Sequence, residues 1–269
     1  MTGFRQEFAP AAAAVTWLSS YPRRSCGGLF AEGGMSGVGT HIVKAFNEDL
    51  ASLRGDVAAI GGLAEAAAWD AAEAVIKGDP DRAARCREAI ALLLRSAAAA
   101  EKSALCVLAL RAPVAGDLRQ IMAILKIVAL LERTAAQSLS IVAAIPQVTR
   151  PLPCPRGFGN LARLARDGMR CAIDAFVTGD ASAAETLAAL ANDSERLHLA
   201  LLEECVAEMR LDRGAAASAV AVLLISRSFA RIAEHSAAIA AEVCAAAAGT
   251  ALAPTALPPL SFPEQTNAA

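Results

Sequence analysis

Val75-Ile76-Lys77-Gly78-Asp79 and Phe176-Val177-Thr178-Gly179-Asp180 decide the fold of this chain: the same stop signal is written twice, 101 residues apart. Each copy ends an apolar helical run with Gly-Asp, and in the first copy Pro80 follows. Gly tolerates the left-handed backbone that closes a helix, and the Asp carboxylate accepts from free N–H groups of the next one. Pro brings the φ of a first helical turn and has no N–H to lose. The segment therefore ends one helix and starts another.

Working outward, the match extends. Gly62-Leu63-Ala64 through Asp79 aligns with Arg163-Leu164-Ala165 through Asp180. Further on, Leu131-Glu132-Arg133 to Ile141 aligns with Phe229-Ala230-Arg231 to Ile239 at an offset of 98 residues. A three-residue loop deletion accounts for the change in offset. Other breaks fall at Arg111-Ala112-Pro113, at Pro146 and the Pro-rich stretch Thr149 to Gly159, and at Asp212-Arg213-Gly214. Two Ala-rich helical stretches aligned by chance are the alternative; tandem duplication explains the ordered breaks more simply. The expectation is an all-α chain of two tandem pseudo-symmetric three-helix bundles. Repeat 1 covers 41–146, a linker 147–159, repeat 2 160–249, and a disordered tail 250–269.

Amphipathic spacing agrees. Ile121, Ile124, Leu125, Val128 and Leu131 recur at the 3–4 interval of one buried face, with Arg119, Lys126 and Arg133 off that stripe. Val222, Ile225, Phe229, Ile232 and Ile239 make the corresponding face of the last helix. Arg227, Arg231, Glu234 and His235 stand together on another face.

Hydrophobic residues make up 55% of the 269, yet aromatics only 4%, so Ala carries much of the apolar content. Ala loses no side-chain entropy in a helix, which favours helices packed through small side chains over a sheet. A net charge of -2 supplies no basic excess to neutralise nucleic-acid phosphates, so no nucleic-acid partner is expected. Mean hydropathy is +0.42, which raises the question of a membrane. The uncharged stretch Gly214 to Ser226 lies between Arg213 and Arg227 and falls well short of the ~20 apolar residues of a span. Phe8 to Pro22 is uncharged too, but Pro10, Ser19 and Ser20 interrupt it. No transmembrane segment is expected.

Ala11 to Leu18 has the look of a short signal-peptide core, but only Arg5 precedes it, offset by Glu7, and no convincing cleavage site follows. Met35 opens a segment that leads straight into a helix. Residues 1–40 are therefore read as a disordered or mis-annotated extension, with Met35 rather than Met1 as the start. Seven Cys, at 26, 86, 106, 154, 171, 205 and 244, include no Cys-x-x-Cys pair. They read as free thiols in a reducing cytosol rather than as a disulfide framework or zinc site. No phosphate-binding Gly-rich loop, His-Glu-x-x-His or nucleophile elbow is present, so no enzyme is expected.

His41-Ile42-Val43-Lys44-Ala45-Phe46-Asn47-Glu48-Asp49-Leu50 resembles the opening of PhoU proteins, and Gly61-Gly62-Leu63-Ala64-Glu65 resembles the family's first helix. The most specific likeness is Leu108-Ala109-Leu110-Arg111-Ala112-Pro113-Val114-Ala115-Gly116-Asp117-Leu118-Arg119, followed by Leu125-Lys126-Ile127 and Leu131-Glu132-Arg133. Ala230-Arg231-Ile232-Ala233-Glu234-His235, with Ile239-Ala240 and Glu242-Val243, resembles the second signature. The likeness covers roughly residues 41 to 249. It implies two pseudo-symmetric three-helix bundles and a cytoplasmic negative regulator. Such a regulator would couple a phosphate ABC transporter, through its ATP-binding subunit, to a phosphate-sensing histidine kinase, and would act as a homodimer.

The resemblance also implies a question about metal. Some members bind iron or other metal ions through acids spaced i, i+4 on the third helix of each repeat, where one helix face presents both carboxylates. Here Glu132 has Ala136 four residues on, and Glu234 has Ala230 four residues before it. Ala89, Leu93 and Leu197 stand where the second helices of the family often carry Asp. Each repeat keeps half of its pair, so Glu132 and Glu234 are the metal candidates, while the expectation is a divergent member without cofactor. Asp117, Arg119, Arg133, Arg231 and His235 are the candidates for partner binding. For Asp117 the structural reading is charge stabilisation of a helix N-terminus, about 0.3–1 kcal/mol. For the arginines it is a solvated face, and for His235 a polar hydrogen bond. His198, among Glu195, Glu203 and Glu204, reads as solvent-facing, and His41 as inert. The other readings are a metal-binding helical bundle and a generic helical adaptor without a phosphate role.

Overall fold

The computed structural model describes residues 38–149 and 155–248. The Met35 start, the tail after 249 and the cysteines at 26 and 154 lie outside them. Among the described residues six α-helices follow one another: α1 Val38–Lys77, α2 Pro80–Arg111, α3 Ala115–Ala144, α4 Pro155–Thr178, α5 Ala183–Leu211 and α6 Ala216–Ala248. Short 3-10 turns, Ile145–Gln147 and Arg213–Ala215, follow α3 and precede α6. No strand occurs among the described residues.

The two Gly-Asp signals form as the chemistry requires. Gly78 and Gly179 take φ of +64° and +74°. Asp79 caps α2, its Oδ1 accepting from the N–H of Asp81 at 2.9 Å and of Arg82 at 3.3 Å. Asp180 accepts from the N–H and Oγ of Ser182, and α5 starts at Ala183. Helix α4 opens at Pro155, inside the stretch read as linker, because Pro is preorganised for a first helical turn.

Helix α1 buries Phe46, Leu50, Leu53, Val57, Ile60, Ala64, Ala67, Ala71 and Ala74 at alternating spacings of 3 and 4, one continuous core stripe. It packs against α2, α3 and α4, while α6 packs against α5, α4 and α3. The first and third helices of each repeat thus form the centre, and α2 and α5 lie outside. Lys126 pairs with Glu242 at 3.0 Å and Thr134 meets His235, so α3 and α6 run antiparallel. Trp69 under Arg166 and Gly61 against Ile173 show the same for α1 and α4.

A pseudo-two-fold relates the repeats. The Trp69–Arg166 stacking, 4.5 Å from guanidinium carbon to ring centre, maps at the 101-residue offset onto Arg170 and Glu65. Arg170 supplies the strongest opposing charge at Glu65, whose carboxyl is nonetheless raised by burial. Phe158 and Phe229 fill the second bundle edge-to-face, ring centres 5.7 Å apart.

The Ala115–Gln147 and Arg213–Ala248 segments are each long and apolar enough to cross a membrane. The sequence reading missed this by counting only uncharged runs. Both are central helices, and their apolar length follows from contact with several neighbours at once.

Candidate functional site

Three places hold the candidate residues. The first is the α2–α3 turn. Ala112 and Ala115 both adopt left-handed backbone, φ 43° and 47°. The Ala112 N–H satisfies the Leu108 carbonyl at 3.2 Å, and Pro113 stops the helix. Left-handed Ala costs free energy that Gly would not, so the turn is held by its surroundings. Arg111 donates two hydrogen bonds to Asp49 of α1, at 3.2 and 3.0 Å, which ties the turn down. Leu110 and Val114 are 73% and 74% exposed at its tip. Leu118 and Met122 continue from Val114 at i+4 steps, which puts all three on one helix face. Asp117 lies in the first turn of α3, exposed, where its charge meets the helix dipole, and Arg119 is exposed beside it.

The second place is the α3–α6 crossing. Small residues let the helices approach: Ala135 and Ala233 are fully buried, as are Ser138 and Ser236, whose hydroxyls donate to carbonyls one turn back. Thr134 Oγ1 lies 3.2 Å from His235 Nδ1. Burial, then the charges of Arg133 and Arg231, push the His235 imidazole down to about 4. It is therefore neutral at physiological pH. Three of the sequence candidates, Arg133, Arg231 and His235, meet here. Lys126, placed by its spacing off the buried stripe, is engaged by Glu242 across the repeats.

The third place is where each third helix faces its second helix, and here the repeats part company. In repeat 1, burial and the carboxylate of Glu101 on α2 raise the Glu132 carboxyl. In repeat 2, Arg227 Nη1 donates to Glu195 of α5, and its Nη2 lies 3.2 Å from Glu234 Oε1. The other Glu234 oxygen is 3.2 Å from Arg231 Nη1. His198 is half-buried, 2.9 Å from Ser226 Oγ, rather than solvent-facing as the run of neighbouring acids suggested. Burial first, and Arg227 as the opposing cation, lower it, while Glu195 works the other way.

Glu132 and Glu234 are thus not brought together: Glu132 lies near Glu101 of α2, and Glu234 is paired with Arg227 and Arg231 of its own helix. A metal held by third-helix carboxylates does not fit this chain. Repeat 2 already neutralises its carboxylates with guanidinium groups, and no cluster of three or more His, Cys, Asp or Glu among the described residues could hold an ion. Glu101, Glu195 and Thr134 were missed as site residues. Nothing in the local spacing reveals a partner on another helix, although Arg227 was visible as part of the charged face of α6.

Comparison with known proteins places these features in context. The family model described as the PhoU domain matches residues 57–145 and again 158–243. The chain is 30% identical over 214 residues to a protein of Zymomonas mobilis named phosphate-specific transport system accessory protein PhoU homolog, covering 78% of this chain and 89% of that one. A Pseudomonas putida protein of the same name is 31% identical over 198 residues, 72% of this chain and 77% of its own length. The crystal structure of PhoU from Pseudomonas aeruginosa superposes with a TM-score of 0.73 at 28% identity, covering 76% of this chain and all of that one. The phosphate transport system regulatory protein PhoU from Streptococcus pneumoniae, at 21% identity and a TM-score of 0.72, shares the fold over 77% of this chain and 99% of its own.

Proposed function

The chain belongs to the PhoU family, and on that premise we propose that it is a cytoplasmic regulator of phosphate uptake and phosphate signalling. It works by binding the ATP-binding subunit of a phosphate ABC transporter and a phosphate-sensing histidine kinase. Relatives named as accessory proteins of phosphate-specific transport systems support the transport part of this reading. The observation that carries the binding part is the α2–α3 tip. It joins exposed Leu110, Val114 and Leu118 to the charges of Asp117 and Arg119 on a turn with left-handed alanines. Exposed apolar groups rimmed by charge are the composition of a binding patch, and backbone strain gathers where a surface is kept in a set shape. These residues lie in the stretch with the most specific likeness to the family.

The mechanism is stoichiometric. Bound at this tip, the protein shifts a partner's conformational balance by no more than its difference in affinity for the two states. Homodimerisation belongs to the same proposal. The α5–α6 turn, with Leu211 90% exposed and Val220 and Leu224 exposed further along α6, points the opposite way because α3 and α6 are antiparallel. One molecule therefore carries two separated apolar tips.

The test is titration of the purified chain against each partner by biolayer interferometry, at high and low phosphate. Val114→Asp or Arg119→Glu is expected to weaken binding at least about tenfold, as loss of a central contact does, while Leu211→Asp leaves it intact. No binding of either partner at micromolar concentration would leave a helical adaptor without a phosphate role.

A further inference from the structure

The disagreement between repeat 2 and a third-helix metal site leads to a positive assignment. Arg227 places its two terminal nitrogens against carboxylates from two helices, Glu195 of α5 and Glu234 of α6. The guanidinium thus sets a positive charge of the chain's own between carboxylates of α5 and α6. The network is shielded: Arg227, Glu195 and Glu234 expose 30%, 20% and 18% of their side chains. Arg231 takes the remaining Glu234 oxygen at 3.2 Å. At the 98-residue offset, repeat 1 has Ala129 in place of Arg227 and Ala136 in place of Glu234, so the guanidinium and its carboxylate occur together in one repeat and are absent together from the other.

We propose that Arg227 is a resident cation, a guanidinium of the chain's own that takes the place of a divalent metal between α5 and α6 and makes repeat 2 independent of metal. Arg suits this role because its charge persists at every physiological pH and its planar fork reaches two carboxylates at once, where a lysine ammonium acts as a point charge. The Glu195–Arg227 pair also ties α5 to α6 at this level.

The experiment measures thermal unfolding of the full chain in EDTA and in 1 mM MnCl2, for wild type, Arg227→Met, Arg227→Lys, Glu234→Gln and the double variant Arg227→Met/Glu234→Gln. Wild type is expected to unfold at the same temperature in both solutions. Arg227→Met is expected to fall by about 5 °C in EDTA, the size of shift a broken shielded ion pair gives in a chain of this length, and to recover part of that loss in Mn2+. The double variant loses the Mn2+ response, and Arg227→Lys, which stays folded if methionine does not, falls between wild type and Arg227→Met. A wild type stabilised by Mn2+, with the gain abolished by Glu234→Gln alone, would overturn the assignment by showing that metal already holds the pair. So would an Arg227→Met protein as stable as wild type, or one destabilised without acquiring any Mn2+ response.

Discussion

Repeat 1 and repeat 2 carry the same three-helix plan and differ in the charged contacts they place at equivalent positions. Where α1 crosses α4, one half of the symmetric contact is a guanidinium on an indole, Arg166 over Trp69, and the other is a carboxylate near a guanidinium, Glu65 and Arg170. Where the third helices face the second, repeat 2 has the Glu195–Arg227–Glu234 bridge, while repeat 1 leaves Glu132 facing Glu101. At the tips, repeat 1 uses left-handed alanines around Pro113. Repeat 2 uses Asp212, whose carboxylate accepts from the Gly214 N–H at 2.8 Å. Duplication therefore conserved the apolar stripes, which every copy needs in order to fold. The charged positions were free to diverge, because any pairing that satisfies them serves.

The sharpest break in symmetry is His235, whose partner position at the 98-residue offset is Gln137. Its native pKa of about 4 lies below the unfolded value of 6.5. The unfolded chain therefore binds more protons between those values. The stabilising contribution is complete above pH 6.5 and is lost as pH falls through 4, at most about 3 kcal/mol. His235→Gln, which copies repeat 1 into repeat 2, is expected to flatten the fall in unfolding temperature between pH 7 and pH 4.5. An unchanged slope would mean that other groups set the acid response. Arg133→Ala is expected to lift the His235 pKa, read directly by NMR titration of the imidazole.

A second way to test the symmetry uses packing. A Cβ on Gly61 would meet Ile173 Cδ1 at 2.4 Å and Cγ1 at 2.6 Å. The positions equivalent at the 101-residue offset are Ala72 and Ala162, both buried, so one half places Gly and Ile where the other places two alanines. Gly61→Ala is expected to cost about 2 kcal/mol through overpacking, read as a shifted urea midpoint. Adding Ile173→Ala should return most of that loss, because the pair then matches its symmetric counterpart. Failure of the second change to rescue the first would place the strain in the helix backbones instead.

The same distinction explains what the sequence disclosed. The six helices, both Gly-Asp stops and the buried stripe of α6 were legible because they are local: a period of 3.6 or a cap depends on residues within one or two turns. Asp117 and Arg119 could be placed at the start of α3 for the same reason. The partners of the charged side chains were not legible. Glu101 beside Glu132, Glu195 against Arg227 and Thr134 against His235 are set by how helices far apart in sequence rotate against one another. His198 was misread on that account: Glu195 does act on its ring, but the ring is half-buried and turns toward Ser226 of α6, a partner that the neighbouring sequence does not reveal. Only the family resemblance pointed past this limit, and it pointed to carboxylates that this chain has rearranged.

The smallest effect returns to the two stop signals themselves. They are alike in sequence and unequal in bonding. Asp79 satisfies two free N–H groups of α2 and is followed by Pro80, whereas Asp180 satisfies one N–H and a serine hydroxyl before α5 begins. Asp79→Ala is therefore expected to cost about 1 kcal/mol, as the loss of a helix cap does. Asp180→Ala should shift the unfolding temperature less, since it sacrifices a turn rather than a cap and its exposed Ser182 can turn to water. Equal losses would mean that the two turns share a cap geometry despite their different partners. A larger loss at Asp180 would mean that the α4–α5 connection, without a proline to stiffen it, leans more heavily on that one carboxylate.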